Sequence, residues 1–439
     1  MTKVAIIGSG MAAYGAANRL AGEPVDVTLY EKNSFFGGQT VSFRDRSGFI
    51  FDKGPHVSFT KDTRIQELFA ANVDGKYETV QYHLDNYWRG HRVLHPAQTN
   101  LFGLPPDIIT KVVADFVKQS ATEIEIRNYE DWLISAYGRT FAEEFPSRYT
   151  QKYHTAAPRH LTTDWIGPRM YRPSLEEVLR GALAPQTKNV HYITGFRYPT
   201  NGGFMSYVEK WAQAANLKLD HKVVSIDPKN RVLTFANGQR ETYDALVSSM
   251  ALPDLIPLIA GVPEDVVAAT GKLACSGCVL VNIGVNRPDT TSAHISYYYD
   301  EDIVFSRTSS PHLMSPNNAP PGCGSIQCEI YFSPKYKPLA GRPADYIEPA
   351  IRDLKRCGLL RETDQILFKD AKLCEYANVI FDHDRTAALS TVHGYLDDVA
   401  IRYCGRYGAW GYMWTDESFK SGEEAATKAV DNLDRKANR

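Results

Sequence analysis

"KVAIIGSGMAAYGAANRL", residues Lys3 to Leu20, sets a run of branched residues directly before a dense run of small ones. "VAII" reads as a short parallel strand buried on both faces, too continuous for an amphipathic helix. Gly8-Ser9-Gly10 follows as a turn, and a helix with a small-residue face runs from there to Leu20. A second strand, "VDVTLY", ends at Glu31, about 20 residues beyond the glycines, the offset expected of a dinucleotide-binding βαβ unit. Gly8 permits the tight turn, and Gly10 lets a pyrophosphate approach the backbone. Ala13 lets the helix lie close on the strand, and Glu31 accepts hydrogen bonds from a ribose diol.

Working outward, "KNSFFGGQTVSF" places the pair Gly37-Gly38 soon after the acid, where backbone comes against a cofactor a second time. The segment "GFIFDKGPHVSF" reads as a hairpin and return strand. Residues Ile108 to about Leu183 read as largely helical, with Ser174 and Glu177 as a capping box. "KVVSIDPKNRVLTFANGQRETYDALVSSM" reads as strands joined by turns. From Cys278, "CVLVNIGV", "HISYYYD" and "SIQCEIYFS" suggest an antiparallel sheet, and a glycine-rich turn and a helix close the sequence.

The fold class expected is α/β, an α+β composite: a Rossmann-type cofactor domain with an inserted helical block and an antiparallel substrate-domain sheet. The expected division is 1–79, 190–250 and 373–439 for the cofactor domain. The helical/substrate insertion is 80–189 and the antiparallel substrate-binding domain 251–372.

A chain of 439 residues with 43% hydrophobic content has ample core for such a composite. A net charge of −2 gives no electrostatic case for nucleic acid. No apolar run reaches the roughly 18–20 residues of a membrane span, and the glycine-broken N-terminal stretch does not read as a signal peptide. Seven scattered cysteines argue against a disulfide framework. "CSGC", Cys275 to Cys278, lacks a second pair at zinc spacing and reads as small residues at a strand edge, so no metal is expected. The expected location is the cytoplasm.

The acid followed by "GG" soon after the dinucleotide turn resembles the flavoprotein superfamily of amine oxidases, protoporphyrinogen oxidase, phytoene desaturase and UDP-galactopyranose mutase. That resemblance implies bound FAD. "HPAQTNLFGLP", "YEDWLISAYGRTFAEEF", "LTTDWIGPRM", "FRYPTNGG", "YDALVSSM" and "GRYGAWGY" occur in the order seen in the mutases, over nearly the whole length. The resemblance implies pyranose–furanose isomerisation of a nucleotide-sugar through covalent chemistry at N5 of the reduced flavin, with an electron donor to reduce it. It also implies a diphosphate clamp of Arg169 and Arg307, the flavin-loop histidine at His56, and a phosphate-contacting Tyr412. Gly405 and Arg406 match the turn that sets the flavin end against the last helix.

Two departures stand out. Where the mutases carry a tyrosine after the second arginine, this chain has "TSSPHLMSP", with Met314. Where they carry "YP" near "FDH", it has Asp384 and Arg385. Arg385 is then a candidate third cation for the substrate. The departures favour a second reading, an oxidoreductase that passes a hydride from substrate to flavin. A third is a flavin-binding scaffold without catalysis. Trp132, Trp165 and Trp410 read as core, and "YYYD" (Tyr297 to Asp300) as a strand with one ring toward a pocket.

Overall fold

The structure is a computed structural model and describes residues 1–186 and 193–437. The expected boundary at 189/190 lies outside the described residues.

A five-stranded parallel sheet carries the cofactor end. Its order is Ile401–Tyr403, Ala245–Ser248, Thr2–Ile7, Val25–Tyr30, Leu217–Lys218, so early, middle and late parts of the chain meet in one sheet. Thr2–Ile7 lies at its centre, and Val4 to Ile7 are buried, as a strand covered on both faces requires. The helix Met11–Leu20 packs on this sheet and against the long C-terminal helix Thr415–Ala437. Here the small residues beyond the turn have their use. A Cβ on Gly15 would stand 2.0 Å from the Phe419 carbonyl oxygen, and one on Gly422 would stand 1.9 Å from that of Ala12. The opening stretch therefore does two jobs: Gly8 and Gly10 shape a turn, and Gly15 lets two helix backbones touch.

A seven-stranded sheet forms the other half. Its order is Ile366–Val379, Cys275–Val285, Gly324–Phe332, Arg307–Ser309, Ile295–Tyr298, Leu84–Trp88, His91–Leu94. The sheet is mixed: Ile295–Tyr298 runs parallel to Leu84–Trp88, while the other pairs are antiparallel. The two strands within 84–94 lie in the helical/substrate insertion, ahead of the part read as helical. They turn at Arg89 and Gly90, both at positive φ (47° and 86°), a pairing that suits a tight hairpin. Leu84–Trp88 meets Ile295–Tyr298 only after some two hundred intervening residues, a connection long enough for parallel pairing.

"CSGC" opens the wholly buried strand Cys275–Val285, which lies inside the sheet and not at its edge. All seven cysteines are free thiols. The helical block follows the pattern read from sequence, including the Ser174–Glu177 capping box. Among the described residues, no helix is long and apolar enough to cross a membrane. No group of three or more His, Cys, Asp or Glu side chains among them is placed to hold a metal ion.

Candidate active site

One cavity of about 1290 Å³ runs from the first turn of the parallel sheet to the face of the mixed sheet and the helical block. Gly8 (φ +110°), Gly10, Glu31, Gly38, His56, Arg169, Arg307, Gly405, Arg406 and Tyr412 all line it. Ala13, Gly37 and Arg385 do not.

The first end is a cradle made by the backbone. Gly8 lies so close to Ser249 that a Cβ there would stand 2.2 Å from its Oγ. Gly10 caps the helix Met11–Leu20 with no side chain over its N-terminus, leaving the first N–H groups open toward the cavity. Gly38 (φ +58°) faces it across the cavity floor, and a Cβ there would meet the Gly10 Cα at 3.0 Å. Gly37 sits behind at φ +110°. Glu31 is buried, accepting from Ser9 Oγ (2.6 Å), the Asn33 amide (3.0 Å) and Asn33 Nδ2 (2.7 Å). Ala13 is fully buried beneath the turn, where its small side chain supports close packing. A bare helix N-terminus, two glycine segments in contact and a fixed carboxylate are what a dinucleotide diphosphate and its ribose require. These residues fit FAD.

At the far side of the cradle, Gly405 (φ +73°) lies against Ala12, and a Cβ would meet that side chain at 2.9 Å. The Arg406 guanidinium is held by the carbonyls of Met413 (3.1 and 2.7 Å) and Ala377 (3.2 Å). His56 Nδ1 lies 2.8 Å from the Gly54 carbonyl. A carbonyl only accepts, so Nδ1 carries the proton and Nε2 is the acceptor. Burial pushes the His56 pKa down to about 4, against the hydrogen bond to Gly54, and the charges of Arg406, Arg307 and Lys53 act in the same direction as burial.

The second end is a wall of phenols and guanidinium groups. Arg307 makes a two-pronged ion pair with Glu329, at 2.7 and 2.6 Å, across adjacent strands. The Tyr331 hydroxyl donates to the same carboxylate. Arg307 lies 5.6 Å from the centre of the Tyr153 ring. The Tyr153 hydroxyl donates to Asn378 Oδ1 (3.1 Å) and meets the Tyr412 hydroxyl at 3.0 Å. Arg169 stands 4.7 Å over the Tyr412 ring, with Nη2 on the Tyr412 carbonyl (3.0 Å) and Nη1 on that of Trp165 (3.4 Å). Arg307, Tyr153, Tyr412 and Arg169 thus form one continuous series. Burial raises the pKa of Tyr153 and of Tyr331, keeping both phenols protonated.

Arg385 is a correction to the expectation of a third substrate cation. Its Nε donates to the Trp410 carbonyl at 3.0 Å, Nη2 donates to the same oxygen, and the guanidinium stacks 4.1 Å over Phe381. It braces the "GAWGY" turn from behind. Met314 is buried in the core beneath the cofactor sheet and supplies nothing to the cavity. Trp410 is wholly buried, whereas Trp165 reaches the cavity. In "YYYD", Tyr297 and Tyr299 face the cavity while Tyr298 packs into the opposite core against Phe305.

Glu329, Tyr331, Tyr149 and Tyr153 were not singled out from sequence. A signal for the first two existed: Gln327, Glu329 and Tyr331 alternate along "SIQCEIYF", a polar face on a strand otherwise apolar.

Residues 6–71 match the NAD(P)-binding Rossmann-like domain family. A 4,4'-diapolycopene oxygenase of Methylomonas sp is 25% identical over 388 residues, which is 75% of this chain and 74% of that protein. The crystal structure of reduced UDP-galactopyranose mutase superposes with a TM-score of 0.92 at 26% identity, covering 98% of this chain and 96% of that one. Cyclohexylamine oxidase from Brevibacterium oxydans IH-35A shares the fold at a TM-score of 0.70 and 14% identity, covering 99% of each chain. With its glycine cradle and its fold, the chain is similar over nearly its whole length to UDP-galactopyranose mutase and shares the fold of the FAD-dependent amine oxidases, and it is a flavoenzyme.

Proposed function

We propose that this flavoenzyme acts on a nucleotide-sugar or a related phosphorylated sugar and isomerises its ring between pyranose and furanose forms. The observation that carries the reading is the series Arg307–Tyr153–Tyr412–Arg169, which sets two guanidinium groups on one wall of the cavity that also holds the cofactor cradle. Bound FAD, once reduced by an electron donor, supplies the electron-rich centre for such chemistry. The protein's part is to bind and orient. Arg169 has no carboxylate partner among the described residues, so its charge is available to a phosphate. Arg307 is fixed by Glu329 and serves as a rigid donor. The phenols of Tyr153 and Tyr331, protonated and buried, exclude water from the site. The cavity is continuous from cradle to phenol wall, which suits a substrate site better than a scaffold.

The test is to reduce the FAD-loaded protein without oxygen, supply UDP-, TDP- and GDP-hexopyranoses, and search for furanose products. Ring isomers formed only under reduced conditions support the reading, and their absence across the panel refutes it.

A second reading, hydride transfer from substrate to flavin, is favoured by the Arg307–Glu329 pair, which cancels one of the two charges the clamp requires. It is also favoured by the burial of Met314 where the mutases carry a phenol, and by the similarity to the diapolycopene oxygenase. Substrate consumed one-for-one with flavin reduction is its expected signature.

A further inference from the structure

We propose that His154 is a substrate-contacting residue that hydrogen-bonds a ring hydroxyl of the ligand bound between Arg169 and Arg307. The assignment rests on the phosphorylated-sugar reading and narrows it.

His154 follows the helix Arg148–Tyr153 as its C-terminal cap, is only 5% exposed, and lines the cavity. Its ring lies 4.9 Å from that of Tyr153 and 5.2 Å from that of Trp165, and Trp165 lies 6.4 Å from Tyr412. The imidazole therefore belongs to the corner occupied by the arginine–phenol series. The groups around it are engaged: Tyr153 with Asn378 and Tyr412, Glu329 with Arg307 and Tyr331. His154 Nδ1 is buried with no hydrogen-bond partner among the described residues, and Arg169 Nε is in the same condition.

A buried polar atom left without a partner costs about 1–3 kcal/mol, so the imidazole of this cavity-lining residue is incompletely paired within the protein. The chemistry selects the group. Burial alone holds the His154 pKa down to about 4, so the ring is neutral near pH 7, with one nitrogen a donor and the other an acceptor. A phosphate oxygen only accepts, and the neighbouring guanidinium already serves it. A hydrocarbon or a protonated amine leaves part of the site unsatisfied. A hydroxyl both donates and accepts, so it pairs with an imidazole nitrogen in either tautomer. The neighbouring Trp165 and Tyr153 rings give flat apolar surface that a sugar ring accepts.

The experiment compares FAD-loaded, reduced wild type with His154→Phe and His154→Asn. Calorimetry measures binding of UDP, TDP and GDP and of their matched hexopyranose conjugates. The expected result is a loss of about 10- to 100-fold in affinity for the conjugate in His154→Phe, with the free nucleotide little changed and partial recovery in His154→Asn. A second readout uses the wild type alone. The His154 imidazole nitrogen resonance, assigned by its loss in His154→Asn, should move on adding the sugar conjugate and stay in place with the free nucleotide. Equal binding of both ligands by wild type and His154→Phe, or an imidazole signal indifferent to the conjugate, overturns the assignment while the sugar reading stands. Failure of wild type to bind any nucleotide or conjugate overturns that reading, and the assignment with it.

Discussion

The hydroxyls of Tyr153 and Tyr412 meet at 3.0 Å, joining residues 259 positions apart in the chain. Because Tyr153 donates its proton to Asn378, Tyr412 is the donor in this contact. The bond ties the end of the helix Arg148–Tyr153 to the C-terminal glycine turn. It also sets the spacing of the two arginines beyond it. Tyr153→Phe removes a buried donor from Asn378 and an acceptor from Tyr412, and should lower stability by about 1–3 kcal/mol. Tyr412→Phe removes only the donor and should cost less. A double-mutant cycle by urea denaturation should show coupling of about 0.5–1.5 kcal/mol, and strict additivity would argue against the contact.

Arg307 and Glu329 set a different constraint. Glu329 has a side chain only 2% exposed, and the Arg307 guanidinium is its ion-pair partner. Arg307→Glu would oppose two carboxylates there, and should lose about 3–5 kcal/mol or fail to fold, whatever the substrate. Arg307→Lys keeps the charge but not the two-pronged geometry. It should fold, retain FAD and weaken UDP binding by about tenfold. Calorimetric titration beside a thermal melt separates the two effects, and an Arg307→Glu variant as stable as wild type would contradict the buried pair.

What could be read from the sequence was local. The Gly8–Glu31 unit is one strand, one turn and one helix, each specified by residues within a few positions, and the capping box at Ser174 is equally short-range. The arginine–phenol wall depends on register between distant strands. Arg307 faces Glu329 only because two antiparallel strands align so, and Tyr153 comes from a helix that nothing in its own sequence connects to Tyr412. Arg385 shows the converse. An arginine standing where the chain departs from the family pattern looked available for substrate, yet the fold uses it to hold the Trp410 carbonyl. His154 gave no signal at all, since an unpartnered nitrogen exists only once its neighbours are in place.

His154 also predicts an acid dependence. Its ordinary pKa is 6.5 and its folded value about 4. Between those values the unfolded chain takes up a proton that the folded protein refuses, so stability should fall as pH drops from 6.5 toward 4. The loss is up to about 3 kcal/mol. His56, also pushed down to about 4, contributes in the same direction. Asp52 opposes both: burial pushes its carboxyl up to about 6, so it favours folding as pH falls from about 6 toward 3.8. The His154 share is isolated by comparing wild type with His154→Asn in urea melts at pH 7.5, 6, 5 and 4.5. The stability difference between them should shift in favour of the variant as the pH is lowered. Parallel curves would place a charged imidazole in the folded state.

The two helices that grip the dinucleotide turn give the last prediction. Gly422 lies on the C-terminal helix with its α-carbon against the backbone of Met11–Leu20, and an added Cβ would stand 1.9 Å from the Ala12 carbonyl oxygen and 2.8 Å from the Ala16 nitrogen. Backbone cannot yield as a side-chain tip can, so Gly422→Ala must push the first helix off its seat. That helix carries the N-terminus at Gly10, and moving it spoils the diphosphate cradle along with the packing. We expect Gly422→Ala to lose about 2–4 kcal/mol, in the range of severe core strain, and to purify with little yellow absorbance. Gly394, inside the helix Arg385–Asp398, is the control: an added Cβ meets nothing within 4 Å. Gly394→Ala should raise stability by about 0.4–1 kcal/mol and leave the flavin content at wild-type level. Flavin absorbance per chain and the thermal midpoint of the two variants, measured side by side, decide it: if both substitutions behave alike, the helices do not touch as described.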